Sequence, residues 1–142
     1  LQEFVQQSGR PFLGICVGMQ LLADRGLEHG EHAGLGWIGG EVRAIEPGDR
    51  RMKVPHMGWN ALRIKENPAT LFAGVDPGAH VYFVHSYGFV PTQQNCVLAE
   101  VDYGPPIVAA IRKGNIVGTQ FHPEKSQAVG LRFIANFLSW SP

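Results

Sequence analysis

The chain lacks an excess of either charge: Lys and Arg number 12, Asp and Glu also 12, and the formal net charge is +0. Nothing therefore argues for a nucleic acid or an anionic membrane surface as partner. No apolar run approaches the roughly 20 residues that a bilayer-spanning helix needs. No signal or targeting pattern is visible. Cysteine is scarce as well. Cys16 and Cys96 are the two in 142 residues, too few for a disulfide framework, so a reduced, cytoplasmic setting is expected. What remains is 44% hydrophobic and 17% charged, the composition of one folded domain, residues 1–142, with a buried core.

The chain starts in mid-pattern. Leu1, Phe4 and Val5 share one helical face and Gly9 resembles a C-cap, so the opening is the tail of a helix and an N-terminal portion is expected upstream. Directly after it comes Gly14-Ile15-Cys16-Val17-Gly18, between the apolar run Pro11-Phe12-Leu13 and the helix-spaced Met19-Gln20-Leu21-Leu22-Ala23. A strand, a sharp turn carrying Cys16 and a helix make a nucleophile elbow, with Gly14 and Gly18 easing the turn. At the start of that helix the dipole is expected to lower the Cys16 thiol pKa. A buried, inert cysteine in a strand-to-helix join is the competing reading.

Gly26 to Gly40 reads as a loop. Its Glu28, His29, Glu31 and His32 do not follow a known ligand spacing, and no metal site is expected there. Strands are expected at Gly40–Ile45, Met52–Val54, Asn60–Ile64, Ala79–Val84, Val97–Val101, Ile107–Arg112 and Ile116–Phe121. Lys113-Gly114-Asn115 joins the last two as a hairpin. Ser126 is a candidate N-cap for a final helix whose apolar face is Val129, Phe133, Ile134, Phe137 and Leu138. With βα units at both ends and strands between, the class is α/β with a mixed sheet.

His122-Pro123-Glu124 carries the second signal. Alternate residues of an extended segment project to one side, and Pro123 biases His122 toward that conformation. An imidazole beside a carboxylate is the base and its orienting partner in a triad, here Cys16–His122–Glu124. His85, which has no carboxylate two residues on, ranks below His122. Gln20, one helical turn beyond Cys16, can reach a substrate held at the sulfur.

The motifs Gly14-Ile15-Cys16-Val17-Gly18-Met19-Gln20 and His122-Pro123-Glu124 resemble those of the class I, triad-type glutamine amidotransferases. Pro55-His56-Met57-Gly58-Trp59-Asn60, Phe83-Val84-His85-Ser86-Tyr87 and Lys125-Ser126 resemble, more narrowly, the glutaminase subunits of imidazole glycerol phosphate synthase in histidine biosynthesis. The resemblance runs from Pro11 to about Leu138. It implies a flavodoxin-like mixed sheet flanked by helices, with extra antiparallel strands. It also implies hydrolysis of L-glutamine to glutamate and ammonia without a cofactor, with the Val17 N–H as one oxyanion donor. Gln20, Glu28, Ser86 and Tyr87 would hold the amino-acid end of glutamine. A cyclase of (β/α)8 barrel fold is the implied partner, met by Met57, Trp59, Asn60, Tyr82 and Lys125. The resemblance places a glycine-rich loop with the second oxyanion donor ahead of Leu1, so these 142 residues alone are expected to catalyse poorly. The competing readings are another cysteine hydrolase of this fold, such as a peptidase or γ-glutamyl hydrolase, and a non-catalytic fragment that binds the partner.

Overall fold

Strand β1 (Phe12–Ile15) lies parallel to β11 (Ile116–Thr119), in the register Leu13 to Val117 and Ile15 to Thr119. The computed structural model describes residues 1–65 and 70–142. Upstream of β1 the expected helix tail is one π-helical turn, Glu3–Gln7, closed by Gly9 at φ 65°. Of its expected apolar face only Val5 is buried, while Leu1 and Phe4 stay exposed.

After β1 the chain forms the four-residue α1 (Val17–Gln20), then β2 (Arg25–Gly26) and β3 (His32–Ala33), a small hairpin inside the tract expected to be loop. β4 (Gly40–Ala44) follows the expected strand. The expected strand at Met52–Val54 does not form. That stretch turns and bends into the cis Val54–Pro55 bond, and Tyr103 donates its hydroxyl to the Lys53 carbonyl. Instead His56 to Asn60 join Ala61 in β5 (His56–Ala61), and the strand expected at Asn60–Ile64 is interrupted at Leu62, which leaves the short β6 (Arg63–Ile64). β7 (His80–His85) and β8 (Tyr87–Pro91) flank Ser86; β9 (Val97–Asp102), β10 (Pro106–Lys113) and β11 then form an antiparallel run. Gly114, at φ 58°, makes the tight turn into β11. The long helix α2 (Gln127–Ser139) closes the described chain.

The strands divide among three sheets rather than one. The main mixed sheet has the order β1-β11-β10-β9-β6; a second has the order β3-β2-β4-β8; β5 and β7 form an antiparallel pair. Two apolar clusters cover the main sheet. On one side Phe133 of α2 meets Phe121 edge-to-face at 5.7 Å and Phe72 at 5.1 Å, with Phe83 and Leu71 fully buried beside them. On the other, Met19, Leu22, Trp37, Ile38, Phe89 and Ile111 pack together. Each such side chain contributes about 1.5–3 kcal/mol on leaving water. Leu138, expected on the buried face of α2, is exposed: in the last turn it is its neighbour Phe137, followed by the buried Trp140, that packs on the cluster Phe133 enters, so Leu138 faces away.

Candidate active site

Cys16 sits at the point where β1 passes into α1, with φ 54° and ψ −110°. Residues with side chains rarely adopt such a backbone, and it is held by a bond from the Cys16 N–H to the Thr119 carbonyl at 2.7 Å. Gly14 is required here: a Cβ would collide with the Gly18 carbonyl and stand 2.9 Å from the Met19 nitrogen. Gly18 is not constrained in this way. A Cβ there meets nothing, and its φ is not positive.

His122 lies just beyond the end of β11, so the parallel pair delivers it to the same sheet edge as Cys16, where open α/β sheets gather ligand contacts. Its Nδ1 and the Glu124 Oε1 are 2.7 Å apart. Its Nε2 is, among the described residues, the one buried side-chain nitrogen or oxygen without a hydrogen-bond partner. The backbone of Tyr82 clamps this turn. The His122 N–H donates to the Tyr82 carbonyl at 3.0 Å, the Tyr82 N–H donates to Ser126 Oγ at 3.0 Å, and Ser126 Oγ donates to the His122 carbonyl at 2.6 Å. Ser126 therefore stands at the N-cap position of α2, but its hydroxyl makes no bond to the helix; it ties down His122 instead.

The thiol departs from expectation in one respect. Burial pushes the Cys16 pKa up, and this outweighs the Val17 N–H, the Lys125 charge and the Gln120 amide, which lower it, while the Glu124 charge raises it further. A helix of four residues has little dipole to set against desolvation. Proton removal by a neighbouring base therefore matters more here than a free thiolate. Cys96, the other thiol, is buried and donates to the Gln93 carbonyl at 3.1 Å.

Gln20 was expected to reach the substrate, and its surroundings are more elaborate than its spacing implied. Its Nε2 donates to the Tyr87 carbonyl and to Gln120 Oε1, each at 3.1 Å. Gln120 is wholly buried and turns its Nε2 toward Cys16 Sγ at 3.7 Å. Sequence reasoning missed Gln120. Its one local mark is its place, two residues before His122 and directly after β11. Val17, Gln20 and Glu28 line one cavity of about 370 Å³, with His29, His32 and Val42 among its other walls. Tyr87 reaches that neighbourhood through its carbonyl. Ser86 is not brought in: its carbonyl accepts from the Ile45 N–H at 2.9 Å and it does not line the cavity. A cavity of about 420 Å³ beside β4 and β8 contains none of the expected site residues.

The expected partner-facing residues divide. Met57 and Trp59 are exposed on one face of β5, and Trp59 meets the half-buried Tyr82 edge-to-face at 5.8 Å. Asn60 is on the opposite face and spends its amide inside the protein, donating to the Asp102 carbonyl at 3.0 Å. Lys125 is exposed and, among the described residues, forms no ion pair. His85 is buried with both ring nitrogens engaged, by His56 at 2.8 Å and by the Tyr87 carbonyl at 2.8 Å. No group of three or more His, Cys, Asp or Glu side chains among the described residues is placed to share a metal ion. Likewise no helix there is long and apolar enough to cross a membrane.

Solved structures with the same fold include a glutamine amidotransferase from Thermotoga maritima, at TM-score 0.64 and 20% identity, covering 96% of this chain and 50% of that one. PurLQS from the same organism matches at TM-score 0.67 and 17% identity, covering 94% and 63%. The imidazole glycerol phosphate synthase subunit HisH of Rhodospirillum rubrum is 61% identical over 100% of this chain and 66% of its own length. HisH of Caulobacter vibrioides is 51% identical over the same shares, 100% and 66%. The chain thus spans about two thirds of the length of the curated relatives it matches. The family described as glutamine amidotransferase class-I matches residues 1–139, and the chain belongs to that family.

Proposed function

We propose that this chain is the glutamine-hydrolysing part of an imidazole glycerol phosphate synthase, using Cys16, His122 and Glu124 as its triad. One observation carries the reading: a base whose Nδ1 is held by a carboxylate at 2.7 Å and whose Nε2 has no partner, at the same sheet edge as a cysteine on a strained elbow. His122 Nε2 takes the Cys16 proton, which burial otherwise keeps on the sulfur. The thiolate attacks the side-chain amide carbon of glutamine. The Val17 N–H then faces the tetrahedral oxyanion, a contact worth about 3–4 kcal/mol at comparable sites. As the carbon–nitrogen bond breaks, His122 gives its proton to the leaving nitrogen and ammonia departs. Water, deprotonated by the same nitrogen, cleaves the thioester and releases glutamate. Glutamine and water thus become glutamate and ammonia, and the enzyme is restored.

Gln20 and Glu28 hold the amino-acid end of glutamine, with Glu28 opposite the α-ammonium, while Tyr87, with its neighbour Ser86, acts through the carbonyl that holds the Gln20 amide. The ammonia passes to a cyclase of (β/α)8 barrel fold, docked over Met57, Trp59, Tyr82 and Lys125, with Asn60 bracing the strand from behind. A cytoplasmic setting keeps the thiol reduced.

The test is turnover with a labelled electrophile. Cys16→Ala removes ammonia release from glutamine, and a glutamine-analogue electrophile labels Cys16 while sparing Cys96. Labelling confined to Cys96, or unaltered turnover in Cys16→Ala, refutes the assignment.

A further inference from the structure

Buried and half-buried polar side chains outside the triad form a continuous chain that ends on the Cys16 sulfur. Asn60 Nδ2 lies 3.2 Å from His56 Nε2, His56 Nδ1 lies 2.8 Å from His85 Nε2, and His85 Nδ1 lies 2.8 Å from the Tyr87 carbonyl. His56 and His85 are 3% and 6% exposed, so neither ring finds water as a substitute partner. From the Tyr87 carbonyl the chain continues through Gln20 Nε2 to Gln120 Oε1, and from Gln120 Nε2 to Cys16 Sγ.

Donor and acceptor chemistry allows one proton arrangement. A carbonyl oxygen accepts only, so His85 carries its hydrogen on Nδ1. The neutral ring then has a lone pair on Nε2, which obliges His56 to donate from Nδ1. That leaves His56 Nε2 as an acceptor for the Asn60 amide. Asn60 cannot turn over, because its Nδ2 also donates to the Asp102 carbonyl at 3.0 Å and its Oδ1 accepts from the Ala61 N–H at 2.8 Å. From the other end, the Tyr87 carbonyl again accepts only, so Gln20 must present its amide nitrogen. Gln120 must then present its oxygen to Gln20 and its nitrogen to the sulfur. The Tyr87 carbonyl is the point where both runs meet, and it receives two donors. Packing reinforces the arrangement: His56 lies between Phe83, at 4.8 Å, and Tyr103, at 4.2 Å, so its ring is held in place.

We propose that Asn60, His56 and His85 are positioning residues for the substrate cavity: they hold the Tyr87 carbonyl, which fixes the amides of Gln20 and Gln120 in one orientation that ends on the Cys16 sulfur. The proposal rests on Cys16 being the nucleophile. Its consequence for binding is direct. Gln20 lines the cavity, and with both its amide hydrogens engaged its Oε1 is the atom left to accept from a donor-bearing ligand such as a primary amide or an ammonium.

The test begins with the unaltered protein. Nitrogen-15 spectra of histidine-labelled full chain, near pH 7, place the proton of both His56 and His85 on Nδ1, the tautomer that free imidazole disfavours in water. A proton on Nε2 of either ring overturns the proposal. Kinetics in the full protein then separate positioning from mere structure. His85→Asn keeps a donor near the Nδ1 position, whereas His85→Gln keeps only the atom facing His56. His85→Gln raises the glutamine KM about tenfold, the scale of one lost hydrogen bond, with kcat within about threefold, while His85→Asn stays near the unaltered KM. Equal values for the two variants, or a loss confined to kcat, overturn the proposal. Cys16→Ala separates the two readings: if it still releases ammonia the nucleophile is misassigned, and the ring tautomers judge the hydrogen-bonded chain independently.

Discussion

Acidification is expected to destabilise the fold through His56 well before the carboxylates protonate. Burial, with a smaller contribution from the neighbouring His85, lowers the His56 pKa from 6.5 to about 4. In the unfolded chain His56 takes a proton as pH falls through 6.5, whereas the native protein does not until about pH 4. Between those values the unfolded state binds more protons, so stability falls as pH falls, by about 1.4 kcal/mol per pH unit. Stability from this source is complete above 6.5 and lost by about 4, a total of about 3 kcal/mol. His85, also lowered chiefly by burial, acts in the same direction. Glu41 and Asp49, which arginines hold below their ordinary values of 4.5 and 3.8, make their loss felt only at lower pH. Against a typical total of roughly 5–15 kcal/mol, the His56 contribution is large.

The assay is urea denaturation from about pH 7.5 to about pH 4.5, beside His56→Phe, which keeps a ring between Phe83 and Tyr103. With slopes of about 1–3 kcal/mol per molar urea, the midpoint of the unaltered protein falls by roughly 1–3 M over that range. His56→Phe is less stable near neutrality, since His85 loses its partner, and its pH dependence is flatter. An unaltered protein with a pH-independent midpoint, or a His56→Phe variant with an equally steep one, refutes the reasoning.

Three further outcomes are expected. Glu124→Gln keeps the fold but lowers kcat by about 10²–10⁴, toward the smaller figure because the Glu124 side chain is half exposed and its charge is screened; an unchanged kcat in steady-state ammonia release removes Glu124 from the triad. Gly14→Ala forces its Cβ onto backbone of the elbow, so the midpoint of thermal unfolding drops by several degrees or the variant fails to accumulate, and a normal midpoint contradicts the geometry. Lys125→Ala weakens cyclase association, or its stimulation of turnover, more than it alters glutamine affinity; calorimetry and coupled turnover that both match the unaltered protein exclude an interface role.

Local chemistry made much of this molecule legible. Lys113-Gly114-Asn115 announced the β10–β11 hairpin, and the spacing of Phe133 with Val129 and Phe137 announced α2. The residues that the sequence hid are those whose partners are distant along the chain. Gln20 and Gln120 are 100 residues apart, and nothing in either segment signals the other. His56 reads as an ordinary strand-flanking histidine until His85 arrives from β7. Ser126 had the right residue type and position for a cap, yet the close approach of Tyr82 and His122 claimed its hydroxyl. Met52–Val54 had strand composition, but no neighbouring strand was available to pair with it among the described residues. The thiol's direction was missed for a related reason: a short helix was visible in the sequence, but the burial that outweighs it depends on the whole fold.

The elbow carries an evolutionary cost. Cys16 occupies φ 54° and ψ −110°, a conformation in which any side chain with a Cβ stores roughly 1–3 kcal/mol. Glycine would relieve that strain, at about 0.5–1 kcal/mol of added chain entropy in the unfolded state. Relief of that strain offsets the sulfur contact that Gln120 loses in the inactive Cys16→Gly protein, so drift or a laboratory screen that rewards abundance alone does little to preserve the nucleophile. Keeping cysteine at this turn requires selection on chemistry, continuously applied, because selection on folding does not supply it.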